Sequence, residues 1–190
     1  MSVSLVSEMP NIKTIEDAYD FIQEIGMCTL FSGKTDGTPS LWDSVDLPDR
    51  SGGRTKWGEK VEAIWAWKND LPNDYPDDIF YGKIKGGRAA LMSMNFLRET
   101  HYPQNYKPIE NCSELAQEIY ELVRLSPGTT GNLRKEAIER YGCSKGRFDT
   151  ALKQLQITLN IARSNDPEEN QDTWLPFKEI YLDITVADDD

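Results

Sequence analysis

Histidine occurs once in this chain, at His101, and cysteine only three times, at Cys28, Cys112 and Cys143. A histidine-built metal site or a Ser-His-Asp hydrolase would have to rest on that single imidazole, and neither is expected. An odd number of widely spaced cysteines argues against a disulfide framework and a tetrahedral cysteine zinc site, so ordinary reduced thiols are expected. Long apolar runs are missing too. Nothing approaches a membrane span, and residues 1–10 lack the basic-then-apolar order of a signal peptide. The expectation is a soluble, cytoplasmic protein without cofactor, metal or membrane partner. Positive charge is the last scarcity: 21 Lys and Arg stand against 32 Asp and Glu, a formal net charge of −11, which opposes contact with a polyanion.

Apolar residues make up 38% of the 190 positions, enough to build the core of one domain or two small ones. The last third is the most informative stretch. Asn111, with Glu114 three positions on, reads as the N-cap of a helix to Leu125 whose Leu115, Ile119, Leu122 and Val123 share one face. Ser126-Pro127-Gly128-Thr129 ends it. Thr130 to Tyr141 reads as a second helix with Leu133, Ala137 and Ile138 inward and Gly142 as its stop. Ser144 caps a third, which carries Phe148, Ala151, Leu152 and Leu155 inward. The alternation Ile157, Leu159, Ile161 and the β-favouring run within Trp174 to Ile184 predict a hairpin. Helix, helix, helix, wing is the winged-helix order, in which the third helix is the usual reader of a major groove.

The N-terminal part predicts a related unit. Thr14-Ile15-Glu16-Asp17 resembles a capping box, and Ile15, Ala18, Tyr19, Ile22 and Ile25 keep helical spacing up to Gly26. Residues 29–54 read as loop, broken by pieces such as Leu41-Trp42. Trp57, Val61, Ile64, Trp65 and Leu71 predict a helix ending at Pro72. Ile79 to Lys85 and Arg88 to Met94 flank Gly86-Gly87, which suits a two-residue hairpin turn. The prolines of Thr100 to Pro108 predict a linker. The expected fold is α+β, two tandem winged-helix-like modules, helix-rich with small β-hairpin wings. Their spans are 12–99 and 111–185, with 100–110 as linker and 186–190 as an acidic tail.

Several phrases carry a family resemblance. Gly146-Arg147-Phe148-Asp149 followed by Leu152-Lys153-Gln154-Leu155-Gln156 and a wing ending in Trp174 resembles the C-terminal module of winged-helix proteins related to the AlkZ DNA glycosylases. Pro39-Ser40-Leu41-Trp42, Trp65-Ala66-Trp67-Lys68, Leu71-Pro72 and Phe80-Tyr81-Gly82-Lys83 resemble a shorter, AlkZ-related group of bacterial proteins over most of the chain. The resemblance implies a winged-helix fold and a place in nucleic-acid metabolism, because those glycosylases remove damaged or crosslinked bases. It does not carry their catalysis across. Their Gln-x-Gln or Gln-x-Asp pair near the start of the chain has no counterpart in residues 1–60, and Gln154-Leu155-Gln156 falls on the third helix instead. That motif reads here as helix surface and core.

Charge is unevenly placed: −5 over residues 1–112, +2 over 113–163 and −8 over 164–190. Asp166, Glu168, Glu169 and Asp172 make the second wing acidic, which repels phosphate. Lys145, Arg147, Thr150 and Lys153 on the third helix are candidates for DNA contact, or a solvated face. Lys83, Lys85 and Arg88 around the glycine turn are a second candidate cluster, or a protected strand edge. Trp57, Trp65, Trp67, Phe80 and Tyr81 could stack an unpaired base, or pack a core. Trp65, Lys68 and Tyr81 form a candidate pocket, since an ammonium amid apolar neighbours needs water or a partner. No pair of carboxylates stands out, and no catalytic residue is nominated. The reading is a DNA-associated protein of repair or regulation, more accessory than enzymatic. The alternatives are a protein-interaction module or homodimeric adaptor with an acidic surface, and, third, a glycosylase-like hydrolase.

Overall fold

The computed structural model describes residues 11–32, 37–49, 58–169 and 171–185; Trp57 and the acidic tail 186–190 lie outside them. Helix α1, Ile15–Ile25, begins at a true capping box: the Thr14 hydroxyl accepts the Asp17 N–H, and the Asp17 carboxylate accepts the Thr14 N–H at 3.0 Å. Gly26, at φ 82°, ends it. Strand β1 (Met27–Thr29), helices α2 (Leu41–Ser44) and α3 (Glu59–Asp74), and strands β2 (Ile79–Lys83) and β3 (Ala89–Ser93) follow. The three strands form an antiparallel sheet in the order β1-β3-β2.

A helical passage of α4 (Met94–Phe96), a π-helical turn (Leu97–His101), α5 (Tyr102–Asn105) and a 3-10 turn (Ile109–Asn111) leads to the second half. There the path repeats: α6 (Glu114–Leu125), β4 (Gly128–Thr129), α7 (Thr130–Tyr141), α8 (Lys145–Ile157), β5 (Ile161–Arg163) and β6 (Thr173–Pro176), with sheet order β4-β6-β5. Short helices α9 (Phe177–Ile180) and α10 (Leu182–Thr185) close the described chain. Each half thus runs helix, strand, helix, helix, strand, strand, with its last strand in the middle of the sheet. The fold is α+β, two tandem winged-helix-like modules with small hairpin wings.

Each half has its own core. Ile22, Leu41, Ile64, Leu71 and Leu91 sit in one; Ile119, Leu133, Phe148, Leu155 and Trp174 sit in the other. A third cluster joins them. Phe80, Ile84 and Met92 of the first hairpin pack with Tyr102 and with Leu159, Ala162, Phe177, Tyr181 and Ile184. Phe80 meets Phe177 and Tyr181 edge-on at 6.0 and 5.5 Å between ring centres, and Tyr102 stacks on Phe177 at 5.4 Å. This aromatic knot holds the first wing against the second module.

The three helices of the second module occur in the expected order, with Phe148, Ala151, Leu152 and Leu155 all buried. Several local expectations need correction. Ser113, not Asn111, caps α6, because the chain first makes the 3-10 turn and Gln154 Oε1 accepts the Ser113 hydroxyl at 2.8 Å. Ile138 is 41% exposed, since the core-facing side of α7 is that of Leu133, Ala137 and the partly buried Tyr141. The alternation from Ile157 is no strand: α8 runs through Ile157, Leu159 turns left-handed at φ 55°, and pairing begins at Ile161. The partner strand ends at Pro176, after which the chain is helical.

In the first module, residues 29–54 hold β1's end and α2, the latter capped by Ser40 accepting the Asp43 N–H. Helix α3 does not stop at Pro72 but carries it inside, and Trp65 is 40% exposed while Trp67 is buried. The glycine turn is a three-residue loop: Ile84 and Arg88 pair across it at 3.0 Å, and Gly86 and Gly87 take φ of 87° and 80°. Pro103 does not break the passage expected as linker: the chain is helical from Met94 through Asn105, and Pro103 is carried where the π-helical turn passes into α5.

His101 is buried in that passage. The Asn105 amide donates to its Nδ1 at 3.2 Å, so the ring proton sits on Nε2, which has no partner. Burial pushes its pKa from 6.5 down to about 4. The unfolded chain therefore takes up a proton below pH 6.5 that the folded chain refuses, and stability falls with falling pH through this window. Between about pH 7 and pH 5 the loss amounts to about 2 kcal/mol. His101→Gln flattens that slope in urea unfolding; a slope unchanged by the substitution rules the assignment out. In the second core, Phe148→Ala costs about 3–5 kcal/mol, through lost transfer energy and the cavity left behind. An unaltered melting midpoint would place Phe148 on the wrong face.

Candidate functional site

Lys145, Arg147, Thr150 and Lys153 of helix α8 are exposed, while Phe148 and Leu155 of the same helix are buried. Asp149 shares that exposed arc, but Arg134 of α7 takes its carboxylate at 2.8 Å. No ion pair among the described residues engages Lys145, Arg147 or Lys153. The tip of the first hairpin lies against this helix: a Cβ built on Gly87 would stand 2.7 Å from Cδ of Lys153. The first hairpin and α8 thus converge at Lys153, with Lys83 within electrostatic reach of it. Burial lowers the Lys83 pKa, and the Lys153 charge lowers it further, with Asp172 opposing.

Behind that convergence, Lys68 and Arg163 are buried, 7% and 5% exposed, on either side of one seam. Their place follows from Pro72. A helical residue at that position would donate its N–H to the carbonyl four residues earlier, Lys68; proline has none to give. The freed carbonyl accepts Arg163 Nη2 at 3.2 Å, and Asn69 Oδ1 accepts Nη1 at 2.8 Å. Arg163 also lies 4.3 Å above the Tyr81 ring and 3.5 Å from the Asp172 carboxylate. Its Nε has no hydrogen-bond partner among the described residues.

The Lys68 ammonium sits 5.1 Å from the Tyr81 ring and 5.3 Å from the Trp65 ring. No hydrogen bond or ion pair among the described residues reaches it. Burial lowers its pKa, the nearby Asp172 opposes that shift, and Arg163 and Lys83 add to it. Trp65, Lys68 and Tyr81 are therefore brought together, with Lys68 as the link. Of the other aromatics considered for base stacking, Trp67 and Phe80 are buried and belong to cores. Arg163 was not singled out from sequence; the usable signal was a proline four residues after Lys68, a carbonyl awaiting a donor.

The seam opens into a cleft of 610 Å³ whose lining includes Lys68, Asn69, Thr130, Arg163, Ser164 and Asp172. Asp70, Asp166 and Glu169 are exposed on its rim. No cluster of metal-ligating side chains occurs among the described residues, and no helix there is long and apolar enough to cross a membrane. Cys28, Cys112 and Cys143 are buried and unpaired.

An α+β chain of two helix-rich halves, each with a small three-stranded antiparallel sheet, is the class that the fold defines. The family model described as AlkZ related matches residues 12–173, and the chain belongs to that family. Neither the curated proteins nor the solved structures include a match to the chain. Arg163→Met is expected to lower stability by about 3 kcal/mol in urea unfolding, because it strips the donors from the Lys68 carbonyl and Asn69. An unchanged midpoint would deny the guanidinium its role between the halves.

Proposed function

We propose that this AlkZ-related protein associates with DNA in the cytoplasm, in repair or in regulation, through the strip from Lys145, Arg147 and Thr150 to Lys153 and the hairpin cluster Lys83, Lys85 and Arg88. The observation that supports this reading is the approach of the Gly87 tip to the Lys153 stem, which brings the hairpin that carries Lys83, Lys85 and Arg88 to α8. Like charges held together attract a polyanion by releasing its counterions, even from a chain that is acidic elsewhere. The Arg134–Asp149 pair takes one carboxylate out of competition on the same face. Family membership adds a relationship to DNA repair. The division into modules 12–99 and 111–185, with 100–110 between them, belongs to this reading. It assigns no catalytic residue; the single histidine is enclosed in the fold.

A second reading has its own observation. The cleft rim exposes Asp70, Asp166 and Glu169, an acidic border that suits a basic protein partner better than phosphate. The two separate by salt and sequence. Replacing Lys145, Arg147 and Lys153 together by alanine is expected to weaken binding of a short duplex and lower the slope of log affinity against log salt by up to about one per lost contact. Fluorescence anisotropy at several salt concentrations measures both. Absence of duplex binding by the unaltered protein at low salt, where attraction is strongest, would remove the DNA reading.

A further inference from the structure

We infer that the cleft between the two modules binds a small, free phosphate monoester, whose phosphate sits on the Lys68 ammonium and the Arg163 guanidinium. Lys68 carries the argument. It is 7% exposed, lines the cleft, and has aromatic rings but no hydrogen-bond acceptor around its ammonium among the described residues. Its stem is buried, and its ammonium at the cleft wall meets ring faces, which replace little of the hydration that the surrounding protein removes. An oxyanion arriving from the cleft restores what is missing. Arg163 adds a second buried cation beside it, and among the described residues the one ion pair on either is the 3.5 Å contact of Arg163 with Asp172.

Two hydroxyls in the lining are set to donate. The Thr130 oxygen already accepts the Trp174 indole N–H at 2.8 Å, and the Ser164 oxygen accepts the Asp166 N–H at 3.2 Å. With an acceptor site used on each, both retain a hydrogen for a ligand oxygen. The set is then two cations and two hydroxyls facing one space, a donor-rich wall suited to phosphate.

The rim sets the size of the ligand. Asp70, Asp166 and Glu169 are exposed, whereas Lys68 and Arg163 are buried. Charges inside act through a lower effective dielectric than charges in water, so the floor outweighs the rim for one compact anion. A polyanion must lay further charges along the rim and is repelled there. Amino groups on the outer end of the ligand suit those carboxylates. Triphosphates and DNA ends are thereby disfavoured, and adenosine 5′-monophosphate, with one phosphate and one exocyclic amine, is a fitting probe.

Calorimetric titration of the full chain with inorganic phosphate and with adenosine 5′-monophosphate tests this. Both bind, the nucleotide more tightly. Lys68→Met weakens each by at least about tenfold while the melting temperature holds or rises, because the stem remains and the unpaired charge goes. Asp172→Asn strengthens each, because it removes the competing carboxylate; a purely structural Arg163–Asp172 pair predicts lost stability and no gain in affinity. That second variant decides the matter even where Lys68→Met fails to fold. No phosphate binding by the unaltered protein at millimolar ligand, or binding indifferent to both substitutions, overturns the site. ATP or a 5′-phosphorylated oligonucleotide binding more tightly than the monophosphate overturns the assignment to a small free ligand. The site stands apart from the DNA reading, since a duplex without terminal phosphates and inorganic phosphate can each fail alone.

Discussion

The carbonyl oxygen of Lys68 has no partner within its own helix, because Pro72 supplies no amide hydrogen, and the two halves of the molecule meet at that vacancy. Arg163, from the first strand of the second hairpin, donates to it and to Asn69 while lying over Tyr81. An unpaired carbonyl buried at a seam is costly, and so is a buried guanidinium; each removes the other's penalty. The arrangement fixes α3, β2 and β5 relative to one another. Lys68 is then stranded between two rings with its ammonium toward the cleft, so the site follows from the proline.

The aromatic knot does for the outer side what Arg163 does within. Phe80 and Met92 face Phe177 and Tyr181, and that burial sets the first hairpin against the second module. A hairpin so anchored reaches α8 with its glycine loop, and the absence of a side chain at Gly87 permits the approach: a Cβ there would stand 2.7 Å from Cδ of Lys153 and force that stem to shift. Positive φ at both positions makes the same demand for a second reason. Local turn chemistry and long-range contact agree on glycine here.

An acidic protein can present a basic surface if its cations share one place and its acids are spread or paired. Arg134 engages Asp149, and Lys13 engages Asp46 far from the strip. Lys145, Arg147 and Lys153 are left to solvent on α8. The acidic loop before β6 borders the cleft instead, so anion-favouring and anion-repelling surfaces lie side by side. Ligand size and charge distribution then discriminate more than net charge does.

Much of the second module was legible because local chemistry and burial coincide there: the Ser144 cap, the Gly142 stop and the stripe from Phe148 to Leu155 each follow from spacing. The capping box of α1 was legible for the same reason. Spacing misled where a turn of the chain intervened. The alternation from Ile157 resembles a strand, yet Leu159 takes φ 55° and the pairing starts later. Trp65 fits an apolar arc drawn on an ideal helix, but the first core closes over Ile64, Trp67 and Leu71. The sequence by itself determined the five longer helices, the first hairpin, their order, the family and the basic residues worth noticing, which depend mostly on neighbours within a few positions. Only the tertiary structure decided that the Gly87 tip meets Lys153 and that Arg163 completes the carbonyl of Lys68. Those contacts join residues 66 and 95 positions apart, and they accompany the burial of aromatic surfaces between the two halves.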